Sequence, residues 1–274
     1  MPSAPSGGGR HKHPPVLKKF GQHFLTDKTV LTAIVDALGP TKSDTVVEIG
    51  PGRGSLTDIL LERSAKVVAV EIDRALAANL REKYAARSNV EIVEGDFLQT
   101  DLRDRAPFLL IGNVPYNITT PIVFKALEPP MPARSVFLVQ REVAERMAAN
   151  AGDEDYGALT VNVAVVARVE QVLTVPATAF RPPPKVESSV VRITPAQQSL
   201  VAPELLSGFR TFVQAAFGQR RKQMQRVLRS VRAISAERAA AVLEQSGIAP
   251  SARPEVVSPE RFATLFRLLA ESAN

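Results

Sequence analysis

The chain has 274 residues, 45% of them hydrophobic, with no Cys or Trp, three His, a net charge of +6 and a pI near 9.8. That length holds one large domain with a small companion, and the composition excludes disulfides, thiolate metal sites and a cysteine nucleophile. With no apolar run of the ~18 residues that a membrane span needs, and no apolar signal core at the start, a cytoplasmic protein is expected.

Residues 1–17 are rich in Pro, Ser and Gly and read as a disordered basic tail. The segment KKFGQHFLTD (18–27) precedes a helical pattern of Val30, Ile34, Val35 and Leu38, capped by Thr26 or Asp27 and ended by Gly39 and Pro40. From Thr45 strands and helices alternate. Strands are predicted at 45–49, 66–70, 90–93, 107–111, 135–139, 169–175 and 188–193. Helices are predicted at 56–63, at 74–84 with Asp73 as cap, and at 120–127, 141–149 and 158–167. Seven strands with interleaved helices spell an α/β sheet, and the last two, joined without a helix, would form an antiparallel edge.

After a linker at 194–203 only helices are expected, at 204–217, 219–231, 236–245 and 259–270. On a wheel for 219–232, Met224, Val227, Leu228 and Val231 share one face and Lys222, Arg226 and Arg229 lie opposite. Charge placement agrees with a polyanionic partner. Residues 1–26 hold four basic side chains and no acid, residues 201–274 hold eleven basic and six acidic, and the body between them sums to −3. Two basic ends suit a nucleic acid gripped from two sides, and Arg220, Arg221, Lys222, Arg226 and Arg229 are the candidate phosphate contacts. An ordinary solvated surface is the bland alternative. The organisation expected is a tail (1–17), an α/β domain (18–200) and a helical, RNA-binding domain (201–274).

Two stretches carry chemistry. Glu48-Ile49-Gly50-Pro51-Gly52-Arg53-Gly54 joins the first strand of the sheet to its first helix, where glycines permit a tight turn and close ligand approach. A dinucleotide fingerprint needs its third glycine one place later, where Ser55 stands. Glu71 ends the second strand and can accept both ribose hydroxyls; Asp96, in Gly95-Asp96-Phe97 after the third, can accept from an adenine amine beside an apolar wall. Taken together they suit adenosine that is not part of a dinucleotide, and NAD is disfavoured. The second stretch, Asn113-Val114-Pro115-Tyr116, follows the fourth strand. An amide oxygen and the Pro115 carbonyl could accept the two N–H bonds of a planar amine, stabilising charge as that nitrogen is attacked, while Tyr116 stacks on the ring. Taken singly, each piece has a plainer reading as a turn, cap or ion-pair partner.

The strand-end order resembles the class I S-adenosylmethionine-dependent methyltransferases over about 45–193, a Rossmann-like seven-stranded sheet. With KKFGQHFL, GNVPYNITTPI, Phe180-Arg-Pro-Pro-Pro-Lys-Val-Glu-Ser and AFGQRRKQMQRVL, the chain from Lys18 onward resembles the ribosomal small-subunit rRNA adenine N6,N6-dimethyltransferases (the KsgA/RsmA family), which adds a small all-helical C-terminal domain. It departs from the family's usual Leu at Val114 and from its more frequent Asn at His23. The resemblance implies that His23, Leu25, Gly50, Glu71, Asp96 and Asn113 contact S-adenosylmethionine, and Gln22, Gly52, Ile72 and Phe97 complete the expected set. It implies that Phe180 faces Tyr116 across the target base. The implied partner is 16S rRNA of the small ribosomal subunit, at two adjacent adenosines of a hairpin loop near its 3′ end. No metal is expected, and a monomer is. The alternatives are the related antibiotic-resistance enzymes that modify large-subunit rRNA and a noncatalytic RNA-binding assembly factor.

Overall fold

Strands that are apolar on both faces belong in the middle of a sheet covered by helices. Here β2 (Thr45–Ile49), β3 (Lys66–Glu71) and β5 (Leu109–Asn113) are buried along nearly their whole length in the computed structural model, which describes residues 23–219 and 221–271. Successive side chains go to opposite layers. Val46, Leu109 and Ile111 join Ile34, Leu38 and Leu60 in one apolar cluster; Val47 and Leu110 join Ile122 and Phe137 in the other.

With β4 (Val90–Glu94), β6 (Arg134–Gln140), β7 (Ala167–Val175) and β9 (Ser188–Pro195), these strands make one sheet ordered β4-β3-β2-β5-β6-β9-β7. Helices α1 (Lys28–Leu38), α2 (Ser55–Arg63), α3 (Arg74–Lys83), α4 (Thr119–Ala126), α5 (Arg141–Ala148) and α6 (Ala158–Ala164) accompany it. Asp27 caps α1 and Asp73 caps α3 through their carboxylates. Strand order reverses at β2, which pairs in parallel with both β3 and β5. The carboxyl ends of β2 to β5 therefore open on one edge, where α/β sheets bind ligands.

Several boundaries differ from the sequence expectation. The fourth strand runs to Asn113 rather than Ile111 and begins after Pro107, which has no N–H for the ladder; pairing with Leu138 draws Asn113 into the sheet. The last strand, β9, lies one place in from the edge, antiparallel to both β6 and β7. The valine-rich helix α6 stops at Ala164, and β7 starts at Ala167.

A two-stranded ladder made by β1 (Phe24–Leu25) and β8 (Phe180–Arg181) lies apart from the main sheet, with Leu25 opposite Phe180. Thr26 reinforces it, its N–H and its hydroxyl both donating to the Ala179 carbonyl. The start of the described chain is thereby strapped beside the carboxyl edge of the sheet.

Beyond β9 come α7 (Leu206–Phe217), α8 (Met224–Arg232), α9 (Ala236–Gln245) and α10 (Pro259–Glu271). Phe209 and Phe212 meet Phe266 with ring centroids 5.5 and 5.8 Å apart, and all three belong to the same apolar cluster as Val47 and Phe137. The Tyr156 hydroxyl donates to the Val257 carbonyl at 2.6 Å, and Arg210 bonds Glu128. Among the described residues no helix is long and apolar enough to cross a membrane.

Candidate active site

The turn after β2 needs glycine. Gly50, Gly52 and Gly54 all have positive φ, and a Cβ on Gly52 would sit 3.0 Å from the Phe24 ring. Glu71 ties this turn to the next strand end: one carboxylate oxygen accepts from the Gly52 N–H and the other from the Asp73 N–H, each at 2.9 Å. Burial raises the Glu71 pKa against the pull of those two amides. With two oxygens and about four lone-pair sites, the carboxylate can still accept from a hydroxyl donor. Phe24 is covered on its outer side by the Arg53 guanidinium, 4.4 Å from the ring centroid.

Sequence reasoning gave Glu48 no role, yet it lines the same cleft. It is 1% exposed, its carboxyl bonded by the Thr57 hydroxyl at 2.6 Å, and burial pushes its pKa up to about 8. The available signal was an acid inside the apolar strand TVVEI, since charged groups are seldom buried without a partner. The cleft encloses about 880 Å³, counting the solvent at its mouth.

His23, Leu25, Gly50, Gly52, Glu71, Ile72, Asn113, Pro115 and Tyr116 all lie on the wall of this one cleft. Asp96 and Phe97 do not. Asp96 stays half-buried at the end of β4 and caps the next turn through the Leu98 N–H, while Phe97 turns into the core at 4% exposure. Ile72, 51% exposed, is the apolar surface at the rim. Gln22 and Arg220 lie outside the described residues.

Asn113 ends β5 with its side-chain N–H donating to the His23 main-chain carbonyl at 3.0 Å. A carbonyl only accepts, so this bond fixes the amide and leaves Oδ1 as an acceptor with no donor among the described residues. Two expectations need correction. The Pro115 carbonyl is already occupied, by the Ile118 N–H at 3.1 Å and the Thr119 hydroxyl at 3.3 Å, because the chain turns into a short 3-10 helix there. The Val114 carbonyl beside it accepts no hydrogen bond among the described residues. Phe180 does not face the cleft: pairing with Leu25 buries it completely in the apolar layer, at 0% exposure.

Tyr116 is held at both ends. Its hydroxyl shares a 2.7 Å hydrogen bond with the buried Ser188 hydroxyl, and burial raises its pKa, so the phenol stays protonated. Its ring lies 6.1 Å from that of His23 at an interplanar angle of 22°. A buried carboxylate, a glycine turn and an amide acceptor with an aromatic ring thus meet in one cleft.

Residues 16–271 match the family model of ribosomal RNA adenine dimethylases. The chain belongs to this family. Among its relatives, the ribosomal RNA small subunit methyltransferase A of Bordetella pertussis is 43% identical over 250 residues, covering 90% of this chain and 92% of the relative. The Acidobacterium capsulatum protein of the same name is 40% identical over 268 residues, covering 96% and 93%. Among solved structures, a Plasmodium falciparum dimethyladenosine transferase superposes with a TM-score of 0.80 at 27% identity, covering 92% of this chain and 98% of that one. The 23S rRNA methyltransferase ErmE gives 0.70 at 32%, covering 90% and 99%.

An rRNA adenine dimethylase of this Rossmann-like class I fold uses S-adenosylmethionine, and the cleft suits that cofactor. Glu71 offers lone pairs to a ribose, a Cβ on Gly50 would point into open space where a ligand can approach, and buried Glu48 can answer a positive group. Among the described residues no cluster of His, Asp and Glu could hold a metal.

In this dimethylase the basic segment is shorter as a helix than expected. The N–H groups of Met224 and Gln225 donate to the Ala252 and Pro250 carbonyls, so α8 starts at Met224 rather than Gln219. Met224, Val227 and Leu228 are buried, and Arg226 and Arg229 are exposed on the helix. Arg221 and Lys222 are exposed on the preceding turn, where Lys222 bonds the Gln219 side chain.

Proposed function

We propose that this enzyme transfers methyl groups from S-adenosylmethionine to N6 of two adjacent adenosines in the 3′-terminal hairpin loop of small-subunit rRNA, giving N6,N6-dimethyladenosine during subunit maturation. The observation that carries the reading is the fixed Asn113 amide, its oxygen free next to the Tyr116 ring. An aromatic amine is a weak nucleophile because its lone pair is delocalised into the ring. Asn113 Oδ1 accepts one N6–H; the Val114 carbonyl, in place of Pro115, accepts the other. Both bonds strengthen as positive charge develops on the nitrogen.

Tyr116 supplies the stacking face, a contact worth roughly 1–3 kcal/mol in single-strand recognition. Phe180, buried opposite Leu25, holds β8 and the strap in place. S-adenosylmethionine supplies an activated methyl on a sulfonium with a good leaving group. Glu71 holds its ribose, Gly50 and Gly52 let the backbone approach it, His23 and Leu25 border it, Ile72 covers its base, and Glu48 faces its positive end. Asp96, half-buried after β4, accepts from its adenine amine, and Phe97 backs that wall from the core. Outside the cleft, Arg221, Lys222, Arg226 and Arg229 contact rRNA phosphates. The target base must leave its stack, at a cost of a few kcal/mol. A cytoplasmic monomer acting on a ribosomal particle fits this reading.

Support for the small subunit comes from the 40–43% identity to the small-subunit methyltransferases over at least 90% of the chain. Tritiated methyl transfer to unmethylated small and large subunits, with the modified nucleoside identified, tests it. Dimethyladenosine in the small subunit is expected; label in the large subunit alone would overturn it.

A further inference from the structure

We propose that Ser188 is a positioning residue for methyl transfer, its hydroxyl fixing the angle at which Tyr116 offers its ring to the target base. The inference rests on the reading of Tyr116 as the stacking face. Tyr116 opens a short 3-10 helix (Tyr116–Ile118) that has no side-chain cap, and its half-buried ring stands on the cleft wall. Rotation about the two side-chain bonds would swing that ring. A bond at the hydroxyl, the atom farthest from the backbone, opposes the swing most.

Ser188 is placed to make that bond. Its strand position is held from both sides, by pairing with Gln140 of β6 and with Val175 of β7, and the Arg141 N–H donates to the carbonyl of the preceding Glu187 at 3.1 Å. The side chain is completely buried, with its oxygen 2.7 Å from the Tyr116 hydroxyl. The direction of the bond follows from burial. Ser188 Oγ meets no other partner among the described residues, so its buried O–H is satisfied only if Ser188 donates and the Tyr116 oxygen accepts. The phenol, on the cleft wall, then turns its own O–H to solvent.

The segment that ends at Ser188 also supports the opposite wall of the amine site. Phe180 pairs with Leu25, and the Pro182 carbonyl accepts from His23 Nδ1 at 2.8 Å. Residue 23 in turn orients Asn113 through its own carbonyl. Residues 180–188 therefore leave one ladder behind Asn113 and join the other behind Tyr116. The run Phe180-Arg-Pro-Pro-Pro-Lys-Val-Glu-Ser is a frame that sets the amide acceptor and the aromatic ring relative to each other, which is what a reaction limited by alignment needs.

Two measurements test this. The chain has three tyrosines, so labelling with 3-fluorotyrosine gives three fluorine resonances, and Tyr116→Phe assigns one of them. Ser188→Ala should shift and narrow the Tyr116 resonance, while those of Tyr84 and Tyr156, tied to Asp58 and to the Val257 carbonyl, stay in place. An unmoved Tyr116 resonance would overturn the proposal. Single-turnover methyl transfer to unmethylated small subunits is compared at saturating cofactor. Ser188→Ala should be slower by about tenfold, near the upper end for one neutral hydrogen bond, with S-adenosylmethionine affinity within about twofold of the wild type. Tyr116→Phe should be slowed to a similar degree, and adding Ser188→Ala to it should slow it no further, because both variants lose the same bond. A wild-type rate in Ser188→Ala overturns the proposal. So does an equal loss in the Tyr116→Phe background, since the serine would then act through the sheet alone. Tyr116→Ala tests the underlying reading: undiminished transfer by that variant would count against the stacking face, whatever the fluorine resonances show.

Discussion

The Asn113 amide and the His23 carbonyl, 90 residues apart in sequence, share a 3.0 Å hydrogen bond that decides which end of the amide faces the cleft. Without it the amide could rotate and present a donor to an amine that needs an acceptor. The strap at residues 23–26 therefore does more than close one side of the cofactor cleft. It sets the polarity of the amide that we propose holds the target amine.

Asn113→Ala removes that acceptor while leaving the glycine turn and Glu71 untouched. Methyl transfer should fall by at least about 100-fold, as when one oriented polar group is taken from a transition state. Affinity for S-adenosylmethionine should stay within about tenfold. Single-turnover rates and equilibrium cofactor binding read the two separately, and undiminished turnover would sink the mechanism.

Glu48 makes stability depend on pH. Its folded-state pKa is pushed up to about 8 by burial, the Thr57 hydrogen bond only partly opposing this, against ~4.3 in an unfolded chain. Between those values the folded form holds a proton that the unfolded form has lost. Stability therefore falls as pH rises through that window and levels off above it. Glu48→Gln keeps the hydrogen-bonding shape without the ionisation. Thermal unfolding of the cofactor-free protein should show the variant gaining on the wild type from about pH 5 to about pH 8, while its cofactor affinity should fall behind the wild type's above about pH 8, where the wild-type carboxylate is ionised and can face a positive group. A gap that does not change with pH would mean that Glu48 ionises normally.

Gly112 stands opposite Ile49 where β5 pairs with β2. A Cβ there would lie 2.9 Å from the Ile49 Cβ and 3.0 Å from the Ile49 carbonyl oxygen, too near for either to yield without moving strand backbone. Gly112→Ala should cost about 1–3 kcal/mol in chemical denaturation, the usual range for overpacking. Because Asn113 is the next residue, methyl transfer should drop more than cofactor affinity does. A fully stable, fully active variant would show that the two strands can separate there.

What could be read from the sequence was what lies close along the chain. Glycines after one apolar run, an acid at the end of the next and Asn113 at the end of the fourth strand announced the cleft, because strand ends on one edge of a parallel sheet converge whatever lies between them. The pairing of Phe24 and Leu25 with Phe180 and Arg181 left no such trace. Neither two-residue strand has a period to detect, so neither the burial of Phe180 nor the bond between His23 and Asn113 was legible. The Pro115 carbonyl was misjudged because its engagement depends on a turn made by Ile118 and Thr119. The start of α8 was set too early for a tertiary reason, since Ala252 and Pro250 take the amide protons that a longer helix would have kept.

The same helix carries the last prediction. Arg226 and Arg229 are exposed on α8 opposite the buried Met224, Val227 and Leu228, and Arg221 and Lys222 stand on the turn before it. None of the four forms an ion pair among the described residues, so removing them costs the fold little. If they meet RNA phosphates, each contact releases counterions, and the logarithm of affinity falls with the logarithm of salt in proportion to the number of contacts. Replacing Lys222, Arg226 and Arg229 with Gln should weaken binding to unmethylated small subunits and flatten that slope by up to about three. Cofactor affinity and thermal stability should be unchanged, because the cleft lies beside the strap and not on α8. An unaltered salt slope, measured by filter binding across a range of potassium chloride, would move the RNA surface elsewhere. The exposed segment after Phe180, with Arg181 and Lys185, would then be the next place to substitute.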